Sequence, residues 1–416
     1  MVVIGAGLSG LTAALRLAEG GLRTVLVAQG VGSTHLGPAT IDVLGYAPDL
    51  VESPAQALPT FGAEHVDHPY ARVTPETVAA SIAWFRERAQ ELHYAGSLEE
   101  NLLLPTAAGV PKPTAIVPEA MAAGDLRAGG RFVFVGLRAL KNFYPAYLAD
   151  NLGRVKVPSG ALVEARAVTL FDPGREADVS PLDYARMFEE PGFREAVAKE
   201  LNPRLEPGES VGFPSVLGLD RHRAVWEELQ DLVERPVFEV SGLPPSVPGI
   251  RLFRVLRAAF RRAGGRLVLG PRAIGGQTGD GLVDAVVVES AANRSTAYGA
   301  RWFVLATGGF AAGAILLDSH GEVRETVFGL PVAGVPAADL PRFLPGYLDD
   351  HPMARAGLAV DEHLRPVDVD GHPPFRNLFA VGAVLGGAAP WREQSGNGLA
   401  LATGFAAASE ILEEAS

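Results

Sequence analysis

The chain has 416 residues, no cysteine and a formal net charge of −12, from 36 basic and 48 acidic side chains. That length allows two domains with a sizeable core, and 48% hydrophobic with 20% charged residues is a globular composition. The missing cysteines exclude disulfides, thiolate zinc sites, a cysteine nucleophile and iron–sulfur clusters held by this chain, and the acidic balance argues against nucleic-acid binding.

In chain order, residues 2–4 read as a short buried strand. Residues 8–19 follow as a helix with Leu8, Leu11, Leu15 and Ala18 on one face, and residues 24–28 as a second strand. A loop of small residues carrying Ser33, Thr34 and His35 comes next, then a Pro-rich, acidic connection and a helical pattern over 74–92. The middle alternates. Strand 132–135, helix 140–152, an extended stretch 161–170, a helical stretch 182–201 broken at Pro191-Gly192, strand 211–217, helix 223–233 and strand 237–240 predict a parallel sheet with crossovers. No Gly-rich phosphate loop opens any of these helices, so this unit is expected to serve a substrate or a partner.

The run Pro244-Pro245-Ser246-Val247-Pro248-Gly249 reads as a turn closing that unit. An amphipathic helix over 251–263 follows, with Arg251, Arg254, Arg257, Arg261 and Arg262 opposite its apolar stripe and therefore expected in solvent. Short strands are expected at 266–269, 285–289, 302–305 and 378–381, and a closing helix over 399–413. The longest uncharged stretch, 302–317, is shorter than the ~20 apolar residues of a membrane-spanning helix. With no basic leader before the first strand, a soluble, cytoplasmic protein is expected, reaching the inner face of the cell membrane only through a partner.

Gly5, Ala6, Gly7, Leu8, Ser9 and Gly10 form G-x-G-x-x-G between a strand and a helix. The first glycine makes the tight turn, and the second lets backbone N–H groups approach a pyrophosphate. The third lets helix and strand pack closely, while the helix N-terminus supplies positive partial charge. The carboxylate that usually closes such a unit on the ribose is absent. Gln29 and Gly30 hold its place, so adenosine is expected to be held by a neutral partner or to be absent from the cofactor.

Two further Gly-rich strand ends point to flavin. Ala306, Thr307, Gly308 and Gly309 put small residues where a chain passes close to a flat cofactor. Gly382 and Ala383, followed by Ser395, Gly396, Asn397, Gly398 and Leu399, resemble the end of two-dinucleotide-binding flavoproteins. There the last helix points its N-terminus at the flavin pyrimidine carbonyl.

With these blocks the chain resembles one family closely, the B-type subunit of anaerobic glycerol-3-phosphate dehydrogenase. The resemblance rests on Gly5 to Gly10, residues 36–44, Leu243 to Leu252, Gly264-Gly265, Asp361-Glu362 with Leu364-Arg365-Pro366, and Asn377 to Gly387. More distantly it looks like the fumarate reductase and succinate dehydrogenase flavoproteins. The resemblance implies an α/β fold with a discontinuous, Rossmann-like flavin-binding domain over 1–68 and 250–416 and an inserted α/β domain over 69–249. It implies FMN, with FAD as the alternative. It also implies a catalytic FAD subunit and an iron–sulfur, membrane-associating subunit as partners in oxidising sn-glycerol 3-phosphate to dihydroxyacetone phosphate, with electrons sent towards quinone. Two other readings stay open: a stand-alone flavin dehydrogenase or reductase of the fumarate reductase type, and a non-catalytic flavin relay or scaffold subunit.

Hydride transfer to flavin needs a base for the substrate hydroxyl and cations for a phosphate. His35 and His351 are the candidate bases, Ser33 and Thr34 candidate phosphate ligands, and Arg376 and Arg392 flank the last flavin-facing segment. His65-Val66-Asp67-His68 has the look of a metal cluster but lacks a third or fourth ligand nearby, so no metal is expected.

Overall fold

The structure, a computed structural model, describes residues 1–170, 178–290 and 294–416. Its centre is a five-stranded parallel sheet in the order Arg266–Leu269, Val25–Ala28, Val2–Ile4, Phe303–Leu305, Leu378–Ala380. Successive side chains of a strand face opposite sides, and here the two sides serve two different cores. Val3, Leu26, Val304 and Phe379 pack beneath the helices Leu8–Glu19, Val247–Arg262 and Gly396–Ala415. Val2, Ile4, Phe303 and Leu305 pack against Val283, Val286 and Val288 on the other side. Leu11 is fully buried on the helical side, and Leu11→Ala is expected to cost about 2–5 kcal/mol in urea unfolding followed by circular dichroism.

The valines on the second side belong to an antiparallel sheet of strands Ala273–Gly279, Leu282–Ser290 and Arg294–Gly299. Sequence reading finds only its middle strand. The first strand, Ala-Ile-Gly-Gly-Gln-Thr-Gly, is bulged twice and looks like a loop. Gly276 is there because a Cβ would run into the ring of Phe328.

A second parallel sheet, ordered Val237–Val240, Glu209–Pro214, Gly130–Leu137, Val163–Leu170, has its own core around Phe134, Leu148, Val211, Leu229 and Phe238. This is the parallel sheet that the alternation predicts. Its core does not begin at residue 69. Val78, Ile82 and Phe85 of helix Pro75–Arg88, and Ile116 beyond it, lie in the core of the first sheet.

Two loop readings are corrected. The acidic connection contains helix Pro54–Glu64, whose Ser53 side chain accepts from Gln56 N (3.4 Å) with Pro54 in the first turn. The Pro-Pro-Ser run is likewise a helix start: Ser246 Oγ accepts from Gly249 N (3.2 Å), Pro248 fits the first turn, and the helix runs Val247–Arg262. Gly249 faces the loop after the second strand so closely that a Cβ would overlap Thr34 O, and Ser246 N donates to His35 O (2.9 Å). The block thus docks one helix onto the loop bearing Ser33, Thr34 and His35.

Candidate functional site

The register aligns Ile4 with Val27 and Leu305, and Leu305 with Ala380, so four strands end together at one edge of the sheet. The ladder continues one residue further through Gly5 N to Val27 O (2.8 Å), Ala306 N to Ile4 O (2.8 Å) and Val381 N to Leu305 O (3.0 Å). Gly5 to Gly10, Gln29-Gly30, Ala306 to Gly309 and Gly382-Ala383 are therefore neighbours, at the edge where open α/β sheets bind ligands.

Sterics account for the glycines. Gly5 has φ +111°, and a Cβ on Gly10 would overlap Gly5 O. Gly382, at φ +74°, would collide with Ser9 Oγ, and a Cβ on Gly309 would lie 2.8 Å from Ala383 O. Gly7 is different: its φ of −69° suits any residue and a Cβ there meets nothing within 4 Å. Gly7 is the N-cap of helix Leu8–Glu19 without a side-chain cap, so the N–H groups of Leu8, Ser9 and Gly10 in its first turn have no intrahelical acceptors.

The closing helix begins earlier than the sequence indicates, at Gly396 after Ser395, so Gly396, Asn397, Gly398 and Leu399 form its first turn. It is seated on the loop after the second strand: Asn397 Nδ2 donates to Thr40 O (2.7 Å) and Gly398 N to Asp42 O (2.8 Å). Glu393 holds the start of this helix. Its carboxylate accepts from Ala389 N (2.7 Å), Ser395 Oγ (2.8 Å) and His68 Nε2 (3.2 Å), and its carbonyl accepts from Gly45 N and Tyr46 N. Burial opposes the charge of Glu393, but these donors outweigh it and hold the carboxyl below the usual range. His68 is therefore a brace for Glu393, and among the described residues no group of side chains is arranged to hold a metal.

The residues fit a phosphate-bearing cofactor at this edge. The buried hydroxyls of Thr34 and Thr307 and the buried Nε2 of His35 have no hydrogen-bond partner among the described residues, as expected of groups awaiting one. His35 stands edge-on to Phe253, 4.9 Å between ring centres. Burial, then Arg254 and Arg257, lower its pKa, so the ring is neutral near pH 7. Ser33, Gln29, Gly30 and Ala383 are exposed at the rim.

The other candidates separate from this group. His351 uses both ring nitrogens on its own loop: Nδ1 accepts from Leu344 N (3.1 Å) and Nε2 donates to Tyr347 O (3.1 Å). It braces that loop and has no free nitrogen for a proton. Arg392 donates to Leu348 O (3.0 Å), and Arg376 lies exposed beside Asp280 O. Arg251, expected in solvent, is only 3% exposed and is paired with Glu239. Sequence reading missed Thr40, Asp42 and Lys112, which meet beside the closing helix. Lys112 Nζ donates to Asp42 Oδ2 (2.6 Å) and Thr40 Oγ1 (3.1 Å), and Thr40 Oγ1 donates to Asp42 Oδ1 (2.8 Å).

Residues 1–399 match the FAD binding domain family. The probable B-type subunit of anaerobic glycerol-3-phosphate dehydrogenase from Halobacterium salinarum is 34% identical over 99% of this chain and 97% of that one. The chain belongs to this family. The B-type subunit of anaerobic glycerol-3-phosphate dehydrogenase from Pectobacterium carotovorum is 30% identical over 100% of this chain and 98% of its own. A flavocytochrome c3 fumarate reductase in an open conformation superposes at a TM-score of 0.46, with 10% identity, over 100% of this chain and 78% of that one. Membership makes the chain a flavoprotein of the oxidoreductase class with the α/β fold expected for it. No helix among the described residues is long and apolar enough to cross a membrane.

Proposed function

We propose that this chain holds its flavin along the carboxyl edge of the five-stranded sheet and takes part in oxidising sn-glycerol 3-phosphate to dihydroxyacetone phosphate. The observation that carries the placement is the pair of helix starts without a side-chain cap, at Gly7 and Ser395, together with the hydroxyls of Thr34 and Thr307, which have no partner among the described residues. The substrate comes from the names of the two relatives, which match this chain end to end.

A bound flavin supplies an acceptor for the hydride that leaves the substrate alcohol carbon. The chain's own groups bind and orient. The N–H groups of Leu8, Ser9 and Gly10, with Ser33, Thr34 and Thr307, hold cofactor phosphate. Gly308, Gly309, Gly382 and Ala383 would leave room for a flat ring, and the first turn of the closing helix would supply positive partial charge to its pyrimidine end. His35, neutral and with Nε2 free, accepts the substrate hydroxyl proton. The inserted sheet forms the substrate or partner unit.

We read the cofactor as FAD, because a full Gly5 to Gly10 loop opening a helix serves a pyrophosphate and FMN has one phosphate. Gln29 then meets the ribose as a neutral partner. Acid release and chromatography decide between the two flavins, and FMN in the extract would overturn the assignment. Gln29→Glu is expected to tighten FAD on the order of 10-fold, about one charge-assisted hydrogen bond, in reconstitution titrations of the apoprotein; unchanged affinity would place the ribose elsewhere.

The relatives are named as subunits, and this chain has no cysteine for an iron–sulfur cluster. Electrons leaving singly towards a quinone would then pass to an iron–sulfur, membrane-associating subunit, and a catalytic FAD subunit is the other partner that the resemblance implies. A dye-linked assay with glycerol 3-phosphate, run on the chain alone and with co-expressed partners, tests this. Reduction only in the complex supports the assembly, and full turnover by the isolated chain contradicts it.

A further inference from the structure

We propose that Lys112 is the cation that stabilises the reduced flavin at its pyrimidine end. The inference rests on the flavin placement above and concerns a residue outside every Gly-rich block. Lys112 is one of four lysines in the chain and sits in strand Pro111–Thr114, paired antiparallel with Leu102–Pro105. An ammonium has three N–H donors. Two are committed, to Asp42 Oδ2 at 2.6 Å and Thr40 Oγ1 at 3.1 Å, and the third is uncommitted among the described residues.

The backbone of the same two acceptor residues receives the closing helix. Thr40 O takes Asn397 Nδ2 (2.7 Å) and Asp42 O takes Gly398 N (2.8 Å). The ammonium is thereby fixed one residue away from the first turn of the helix that faces the pyrimidine ring. Asp42 is held through both oxygens, Oδ1 accepting from Thr40 Oγ1 and Oδ2 from Lys112. The pair lies largely out of solvent, Asp42 being buried and Lys112 half-buried, so its orientation persists where an exposed pair would be averaged away.

The electron balance says what such a cation does. A hydride leaving the substrate carbon brings two electrons and one proton to the flavin N5. The substrate hydroxyl proton goes to the base. One net negative charge then appears on the pyrimidine side of the ring. Lys112 transfers no proton. It presents a fixed N–H and positive charge where that negative charge develops, beside the partial charge of the helix N-terminus. Asp42 holds the ammonium in place and moderates its field.

Two readouts independent of turnover test this on the purified holoprotein: the flavin midpoint potential, and the dissociation constant of sulfite, whose addition to N5 leaves negative charge on the same ring. Lys112→Met is expected to retain flavin at wild-type stoichiometry, to weaken sulfite on the order of 10-fold and to lower the potential by about 30 mV for a two-electron couple. Lys112→Arg should restore most of both. Asp42→Asn, which leaves the ammonium less compensated, should shift both readouts in the opposite direction, and this holds even if Lys112→Met proves too unstable to purify. A flavin-loaded wild type whose variants keep its sulfite affinity and potential would overturn the role of Lys112 alone. A wild type without flavin would overturn the flavin placement with it.

Discussion

Gly7→Leu is expected to yield a folded protein that no longer retains flavin, whereas Gly10→Val is expected not to fold. The two glycines belong to one motif but meet different surroundings. At Gly10 a Cβ would overlap the carbonyl oxygen of Gly5 and press on Ala306, so the first helix could not stay seated on the sheet. At Gly7 the backbone is in an ordinary extended conformation and a Cβ enters open space. Leucine there should cost the helix start no more than about 1 kcal/mol. The open space in front of Gly7 is where a phosphate would approach the free N–H groups. Losing two charge-assisted hydrogen bonds of about 1.5–3 kcal/mol each weakens binding by about 100-fold or more. Flavin absorbance per chain and a thermal melt, measured on both variants, separate the outcomes. A Gly7→Leu protein that stays fully yellow would show that the loop does not hold the cofactor.

The part of the site legible in the sequence is the part made by backbone. A strand ending in glycine and running into a helix is a local pattern, and the parallel register then gathers Gly5, Ala306 and Gly382 at one edge. The closing helix starting at Gly396 was legible within a few residues, as was the alternation that builds the second parallel sheet.

What was not legible depends on contacts far apart in the chain. Lys112 reaches Asp42 across about seventy residues of sequence from a segment reading Pro-Lys-Pro-Thr, where the prolines speak against a strand. His68 and Glu393 are separated by more than three hundred residues, so a histidine in a metal-like run is in fact a brace for the closing helix. His351 looked like a base beside carboxylates, but a turn supplies backbone partners to both of its nitrogens. The helix wheel of 251–263 identified a charged face, and Arg261 and Arg262 are exposed as expected, but Arg251 is buried. A wheel shows which residues share a face and nothing about which element covers that face.

Arg251→Met is expected to be the most destabilising single change outside the hydrophobic cores, and its effect should depend on pH. Arg251 stands on helix Val247–Arg262, and its guanidinium reaches the second parallel sheet. There it donates to Gly218 O and pairs with Glu239, whose carboxylate is 2.7 Å away and also accepts from Leu217 N (2.8 Å). Arg251 is 3% and Glu239 2% exposed. Burial opposes the charge of Glu239, but Arg251 outweighs it and keeps the carboxyl below its usual range. Removing the arginine leaves a buried carboxylate unpaired, a loss of about 3–5 kcal/mol. The double change Arg251→Met with Glu239→Met should recover part of that loss, and a double-mutant cycle in urea measures the difference.

His222, 7% exposed, completes the cluster: its Nδ1 donates to Leu217 O (2.7 Å), and Nε2 lies 3.9 Å from Glu239. Burial, then Arg251, lower its pKa from 6.5 to about 4. The folded state therefore refuses a proton that the unfolded chain takes up below pH 6.5. Stability falls as pH drops from 6.5 towards 4, by at most about 3 kcal/mol. Glu239 continues the trend at lower pH, since a carboxyl depressed in the folded state loses its contribution as it is protonated. His222→Asn preserves the donor to Leu217 O and removes the titrating ring, so its melting temperature should fall less than that of the wild type between pH 6.5 and 4.5. Parallel profiles would show that His222 does not govern this window. The consequence for the site follows from the helix that carries Arg251. Its first turn also presses Gly249 against Thr34 O and binds His35 O through Ser246 N. Loosening the helix at the second parallel sheet should therefore slacken the loop bearing Thr34 and His35, and Arg251→Met should lose flavin at lower urea concentrations than those that unfold the core of that sheet.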